Sequence, residues 1–250
     1  MSKICYIILT CEKYINTRVN WQSDTCFKFI NNKDCYYLSC RPVNSKKNIY
    51  GWYTKDDYTS CPDKYIAFLK NLDLDYDWYV FIDDDTFIFP DRIQKIVSQF
   101  NKNDYLYIGH LLTHLRDLQY MSGGAGFIIS KPTYLLLKKF ISNSNMNSIQ
   151  KKFYEQLYGD VSFGIWIKLI NEKQHNNKIK LFNNPNFKPN KHNDECELGN
   201  CVTFHYVTTR EHFENYYKLM KKNILWVFIL FLYNLFNFII YKLISLCRRK

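Results

Sequence analysis

The sequence predicts an α/β fold with a largely parallel sheet, followed by one apolar segment of membrane-spanning length. Three observations carry that reading. Short apolar runs alternate with amphipathic ones along most of the 250 residues, as strands alternating with helices do. Hydrophobic residues make up 47% and charged residues 23%, which allows a sizeable core and excludes wholesale disorder. One apolar run also stops abruptly at Asp83-Asp84-Asp85, and ligands of parallel α/β folds collect beyond the carboxyl ends of the strands.

The elements follow in order. Residues 4–9 read as a buried strand and 36–39 as a second. Residues 64–72 read as a helix, and 78–82 as the strand that ends at the aspartates. Pro90 and Asp91 are starting signals for a helix over 92–100. Residues 105–112 and 127–129 read as strands, and Ser130-Lys131-Pro132 opens a helix over 133–141. Residues 161–170 form another helix and 202–206 a late strand, while the Asn-rich stretches 142–148 and 183–193 read as surface loops.

This reading divides the chain into one domain, residues 1–220, and a C-terminal anchor, residues 221–250. Residues 224–241 are uncharged for roughly eighteen positions, near the length needed to cross a bilayer. Lys221-Lys222 precede the segment and Arg248-Arg249-Lys250 follow it. Basic residues on both sides leave its orientation open. Nine cysteines with no C-x-x-C spacing argue against a structural zinc site or a disulfide framework and favour free thiols. The sequence also has no Asn-x-Ser/Thr sequon. Together these features predict a single-pass membrane protein whose large N-terminal domain faces the cytosol.

The net charge of +11 fits an anionic partner such as a nucleotide, a nucleic acid or a membrane surface. No recognition helix or RNA-binding aromatic motif accompanies it, so nucleic acid is not an expected partner.

The aspartate run carries the most chemistry. Three adjacent carboxylates repel one another, and this run is framed by Phe81-Ile82 and Phe87-Ile88-Phe89. Something positive must offset that cost. On an extended backbone Asp83 and Asp85 share a side, and two hard oxygen ligands suit Mg²⁺ or Mn²⁺, which could hold a diphosphate. Gly123-Gly124-Ala125-Gly126 precedes a strand, where bare backbone lets a ligand come close. Asp160 stands before the helix 161–170, where it reads as an N-cap. His205 sits among apolar neighbours, and a lone histidine there is usually a core residue. His110 and His114 read as structural or acceptor-side, and Arg18 alone would be an exposed charge.

The stretch Tyr76-Asp77-Trp78-Tyr79-Val80-Phe81-Ile82-Asp83-Asp84-Asp85-Thr86-Phe87 resembles the metal-binding strand of the fringe and core 1 β-1,3-galactosyltransferase family. Further motifs resemble that family in the same order. They include Ile8-Leu9-Thr10, Thr17-Arg18-Val19, Thr54-Lys55-Asp56-Asp57-Tyr58, Met121-Ser122-Gly123-Gly124-Ala125-Gly126, Gly159-Asp160-Val161 and Phe204-His205-Tyr206. The resemblance covers roughly residues 3–215. It implies a GT-A fold, a UDP-sugar donor, and Mn²⁺ with Mg²⁺ as the alternative. It also implies inverting transfer of a hexose or N-acetylhexosamine to a hydroxyl of a glycan or glycoprotein acceptor, in a β-1,3 linkage. Carried onto this sequence, the metal ligands are Asp83, Asp85 and His205. Donor binding falls to Thr10, Arg18, Asp83, Asp84, Gly123 and Gly124, and Asp160 becomes the general base. The alternative on the same fold is a catalytically inactive, lectin-like membrane protein.

Overall fold

The computed structural model describes residues 2–43, 47–114, 117–153, 158–174, 178–190 and 200–222. In chain order the elements are β1 (Ile4–Leu9), α1 (Arg18–Asp24), β2 (Cys35–Ser39), β3 (Ile49–Gly51), α2 (Cys61–Asn71), β4 (Trp78–Asp83), β5 (Phe87–Ile88) and α3 (Pro90–Val97). There follow β6 (Leu106–Gly109), β7 (Leu111–His114), β8 (Leu118–Met121), β9 (Phe127–Ser130), α4 (Lys131–Asn143), α5 (Met146–Phe153) and α6 (Gly159–Lys173). The last are β10 (Lys180–Asn183), β11 (Phe187–Lys188) and β12 (Thr203–Phe204), then a helix over residues 210–222, here α7.

A seven-stranded sheet in the order β10-β6-β9-β4-β1-β2-β3 forms the centre. β9 runs antiparallel to both neighbours, β4 and β6, and the other pairings are parallel. β1 and β4 are covered on both faces, so they read as unbroken apolar runs. Their side chains still alternate. Tyr6, Ile8, Trp78, Val80 and Ile82 enter one core, with Ile93 of α3 and Phe213 of α7. Cys5, Ile7, Tyr79 and Phe81 enter the other, with residues of α2, α4 and α6. Phe163 is central to that second core, its ring 4.9 Å from Phe127 and 5.0 Å from Phe81. Truncating such a buried ring costs about 3–5 kcal/mol.

Several expectations are corrected. The strand expected over 105–112 breaks at His110, because the backbone turns out of the sheet there. The Leu111 amide donates to the Asn183 side chain, and β7 pairs with β8 as a separate hairpin. The helix expected over 92–100 begins at Pro90 and ends at Val97. Residues 142–148 are not all loop, since α4 reaches Asn143 and α5 starts at Met146. The late strand shortens to Thr203–Phe204 and pairs with β5 and β11. The apolar stretch 224–241 lies outside the described residues. Among the described residues, no helix is long and apolar enough to cross a membrane. Each described cysteine is a free thiol.

Candidate active site

The aspartates follow directly from the topology. β4 ends at Asp83, and Asp84 and Asp85 form a turn closed by the Thr86 amide donating to the Asp83 carbonyl. Asp83 and Asp85 therefore come together through a turn and not through strand alternation. The turn is pinned from α1, where the Gln22 side-chain amide donates to the carbonyls of Asp83 (2.9 Å) and Thr86 (2.8 Å).

Each carboxylate has its own environment. Asp84 is buried, with one oxygen accepting from Thr10 Oγ1 at 2.8 Å and the other from Arg18 at 3.0 Å. Arg18 also reaches Asp85 at 3.4 Å, and its guanidinium lies 3.8 Å from the centre of the Tyr14 ring. Thus Arg18, by default an exposed charge, is folded into the site, and Asp84 spends its side chain on holding Arg18 and Thr10. Asp85 faces His205 Nε2 at 3.4 Å, while His205 Nδ1 lies 3.0 Å from the Pro189 carbonyl. One carboxylate and one imidazole nitrogen are thereby left facing each other.

Ligand atoms of Asp83, Asp85 and His205 all lie within 4.8 Å of one another. Two carboxylates and an imidazole suit Mn²⁺ or Mg²⁺. The protonation preferences show the cost of bringing these groups together without a cation. Burial, then Asp85, pushes Asp83 up to about 8. Burial raises Asp84 to about 6, against the bonds from Thr10 and Arg18. His205 is desolvated, yet its bond to Asp85 and the charges of Asp85 and Asp83 raise it.

The glycine loop joins this cluster to Asp160. A β-carbon on Gly124 would sit 2.0 Å from His205 Cε1, and one on Gly123 would sit 3.0 Å from the Asp160 β-carbon. Two consecutive glycines therefore seat the side chains of His205 and Asp160. Asp160 is corrected from N-cap to first-turn residue. Tyr158 caps α6, and Asp160 is the second residue of the helix. Its Oδ2 accepts from the Gly123 amide at 2.9 Å and its Oδ1 from the Val161 amide at 2.8 Å. Burial raises its pKa, and those two amides oppose the rise. Asp160 is thus a fixed carboxylate beside an acid-rich turn that suits a cation.

A Fringe-like family model matches residues 1–221. The protein belongs to the Fringe-like family. This Fringe-like protein is a glycosyltransferase, and its fold is shared with a solved member of that class. The apo form of the glycosyltransferase GlyE from Streptococcus pneumoniae TIGR4 matches with a TM-score of 0.52 at 9% identity, over 90% of this chain and 63% of that one. A glycosyltransferase involved in glycosylation of the major capsid of PBCV-1 is similar at 11% identity and a TM-score of 0.44, over 84% of this chain and 99% of that one. The catalytic domain of Drosophila β1,4-galactosyltransferase 7 is similar at 11% identity and 0.43, over 85% and 73%.

The Fringe-like site also contains residues the motifs did not assign. Gln22 pins the aspartate turn, and the only signal in sequence was an amide on the apolar side of α1. Lys64 donates to the Thr10 carbonyl and to Asp56, both at 2.9 Å, and so fixes the end of β1. His110 is not one of the residues whose ligand atoms meet in the cluster of Asp83, Asp85 and His205. Burial, then Lys188, lowers its pKa. The side chain of His114 lies outside the described set.

Proposed function

We propose that this glycosyltransferase is metal-dependent and inverting, moving a hexose or N-acetylhexosamine from a UDP-sugar to a hydroxyl of a glycan or protein-linked sugar in a β-1,3 linkage. The observation that carries the reading is the meeting of Asp83, Asp85 and His205 with Asp160 across Gly123 and Gly124. A divalent cation held by the first three residues would neutralise the diphosphate leaving group. Arg18 adds a fixed positive charge at the same turn, already oriented by Asp84 and Tyr14. Gly123 and Gly124 offer backbone without side chains, so a sugar ring comes close to the carboxylate. Asp160 takes the proton of the acceptor hydroxyl as that oxygen attacks the anomeric carbon and the bond to the diphosphate breaks. Its raised pKa moves it toward the operating pH, which suits a general base. Each of its oxygens keeps a lone pair beyond the amide it already accepts.

The segment 221–250 enters this proposal as a membrane anchor, with the catalytic domain on the cytosolic side. Its support is the uncharged run 224–241 between basic residues, together with the described free thiols. The deciding experiment incubates the protein with a panel of UDP-sugars, with Mn²⁺ or with chelator, and measures UDP release. Release that needs the metal and vanishes in Asp85→Asn is expected. No release from any donor would overturn the proposal and leave the lectin-like alternative.

A further inference from the structure

We infer that Tyr58, Tyr158 and Tyr206 form a platform that seats the ring of an acceptor sugar beside Asp160, an inference that rests on the glycosyltransferase reading above and extends it to the acceptor. Large aromatic rings are usually buried, and these three stand 67%, 37% and 46% exposed. They come from three remote parts of the chain. Tyr58 begins a short 3₁₀ turn (Tyr58–Ser60) before α2, Tyr158 caps α6 two residues before Asp160, and Tyr206 follows His205.

Packing behind the rings brings the first two together, and the third stands on His205. Gly159 lies against Cys61 and Tyr65, where a β-carbon would fall 2.9 Å from the Tyr65 ring. That contact sets the start of α6 on the start of α2. It leaves the Tyr58 and Tyr158 rings 5.1 Å apart, tilted at 53°. Tyr206 stacks on His205 at 3.8 Å and 26°. Its φ of +58° is a left-handed conformation that bulky residues rarely adopt. The next amide, of Val207, donates to the Asp85 carbonyl at 2.8 Å and fixes that backbone from behind. The exposed ring is therefore held in place by the aspartate turn itself.

The chemistry of the surface selects a sugar. A tyrosine presents a flat apolar face to the C–H side of a pyranose and a hydroxyl to its polar edge, and it loses little conformational freedom on binding. A purely apolar partner fits poorly, because Asp160 lies two residues beyond Tyr158 and His205 directly precedes Tyr206. Desolvation raises the pKa of the Tyr58 hydroxyl, and Asp160 and Asp83 raise it further. A sugar seated here would turn a hydroxyl toward Asp160, as attack requires.

The test uses the full chain with UDP and Mn²⁺, and the methyl α- and β-glycosides of galactose, glucose, N-acetylglucosamine and fucose as probes. Saturation-transfer NMR should show magnetisation passing to ring C–H protons of at least one glycoside. That signal should fall fivefold or more in Tyr58→Leu and Tyr158→Leu, which keep bulk without a flat ring, and persist in Tyr58→Phe and Tyr158→Phe. Thermal melts of the four variants establish that they are folded. A parent protein that saturates none of the glycosides, or leucine variants that match it, would overturn the platform. UDP release by the parent is measured on the same sample. Its absence would count against the glycosyltransferase reading alone.

Discussion

The imidazole of His205 rests on Gly124 so closely that a β-carbon there would lie 2.0 Å from Cε1. Such a distance leaves no room for adjustment by small shifts, and the ring must move if anything larger than hydrogen is placed beneath it. Gly124 has an ordinary negative-φ backbone, since the one described glycine at positive φ is Gly126 at +81°. Alanine at 124 is thus tolerated by the chain and not by the histidine. Gly124→Ala should fold, yet lose Mn²⁺-dependent UDP binding tenfold or more. Isothermal titration with Mn²⁺ and UDP measures it, and parental affinity in the variant would remove His205 from the shell.

The aspartate turn makes stability pH-dependent in a defined direction. Asp83 holds its proton to about 8 in the folded state, against an ordinary 3.8, and Asp84 to about 6. Asp160 and His205 are also raised. A raised pKa stabilises the folded state at low pH, and that contribution is lost as pH climbs through the folded value. Without metal, the melting temperature should fall as pH rises from about 5 to about 8. Excess Mn²⁺ should flatten the fall, because a cation replaces the proton. Melts at four pH values in chelator settle it, and a flat or rising profile without metal would contradict these shifts.

Replacing Asp160 separates catalysis from structure. Asp160→Asn should retain UDP-sugar binding and reduce transfer by roughly 10²–10⁴, the usual size of a general-base contribution. As a simple helix cap, asparagine would serve as well as aspartate. Here, however, the two oxygens accept from two different amides, Gly123 and Val161, and asparagine has one oxygen to offer. The variant should therefore also lose about 1–3 kcal/mol, since one amide is left facing a donor. Chemical denaturation and transfer assays on the same sample measure both. Near-parental turnover would exclude Asp160 as the base.

Removal of residues 223–250 tests the anchor. The family match ends at residue 221, and α7 contributes Phe213 and Met220 to the core before that point. A chain ending at 222 should fold, stay in solution without detergent and release UDP at the parental rate. Aggregation on truncation would make the segment part of the fold.

Much of the fold was legible because β1 and β4 are covered on both faces and so appear as unbroken apolar runs. Short edge elements were not. β3 has three residues and β11 has two, too few for any periodicity to register. The acidic residues of the site stood out, since three carboxylates after a buried strand demand a reason. His205 became a candidate only through its resemblance to a known motif, as an isolated histidine between apolar residues carries no signal. Gln22 carried only the mark of an amide on the apolar side of α1. Its role depends on where α1 crosses β4, a tertiary fact that no local pattern encodes.

The pairing of β12 with β5 has a consequence for how the site opens. His205 follows β12 directly, and β12 pairs with β5 through two residue pairs, Thr203 with Ile88 and Phe204 with Phe87, flanked by the bonds of the Phe89 amide to the Val202 carbonyl and of the Val207 amide to the Asp85 carbonyl. The main sheet shares none of these bonds. Fraying of so short a ladder would swing the histidine away from Asp85 while β1 and β4 remained intact, a local opening far easier than global unfolding. Amides of residues 203–207 should therefore exchange with solvent sooner than those of β4. A bound ion would then leave through this seam without the rest of the protein coming apart.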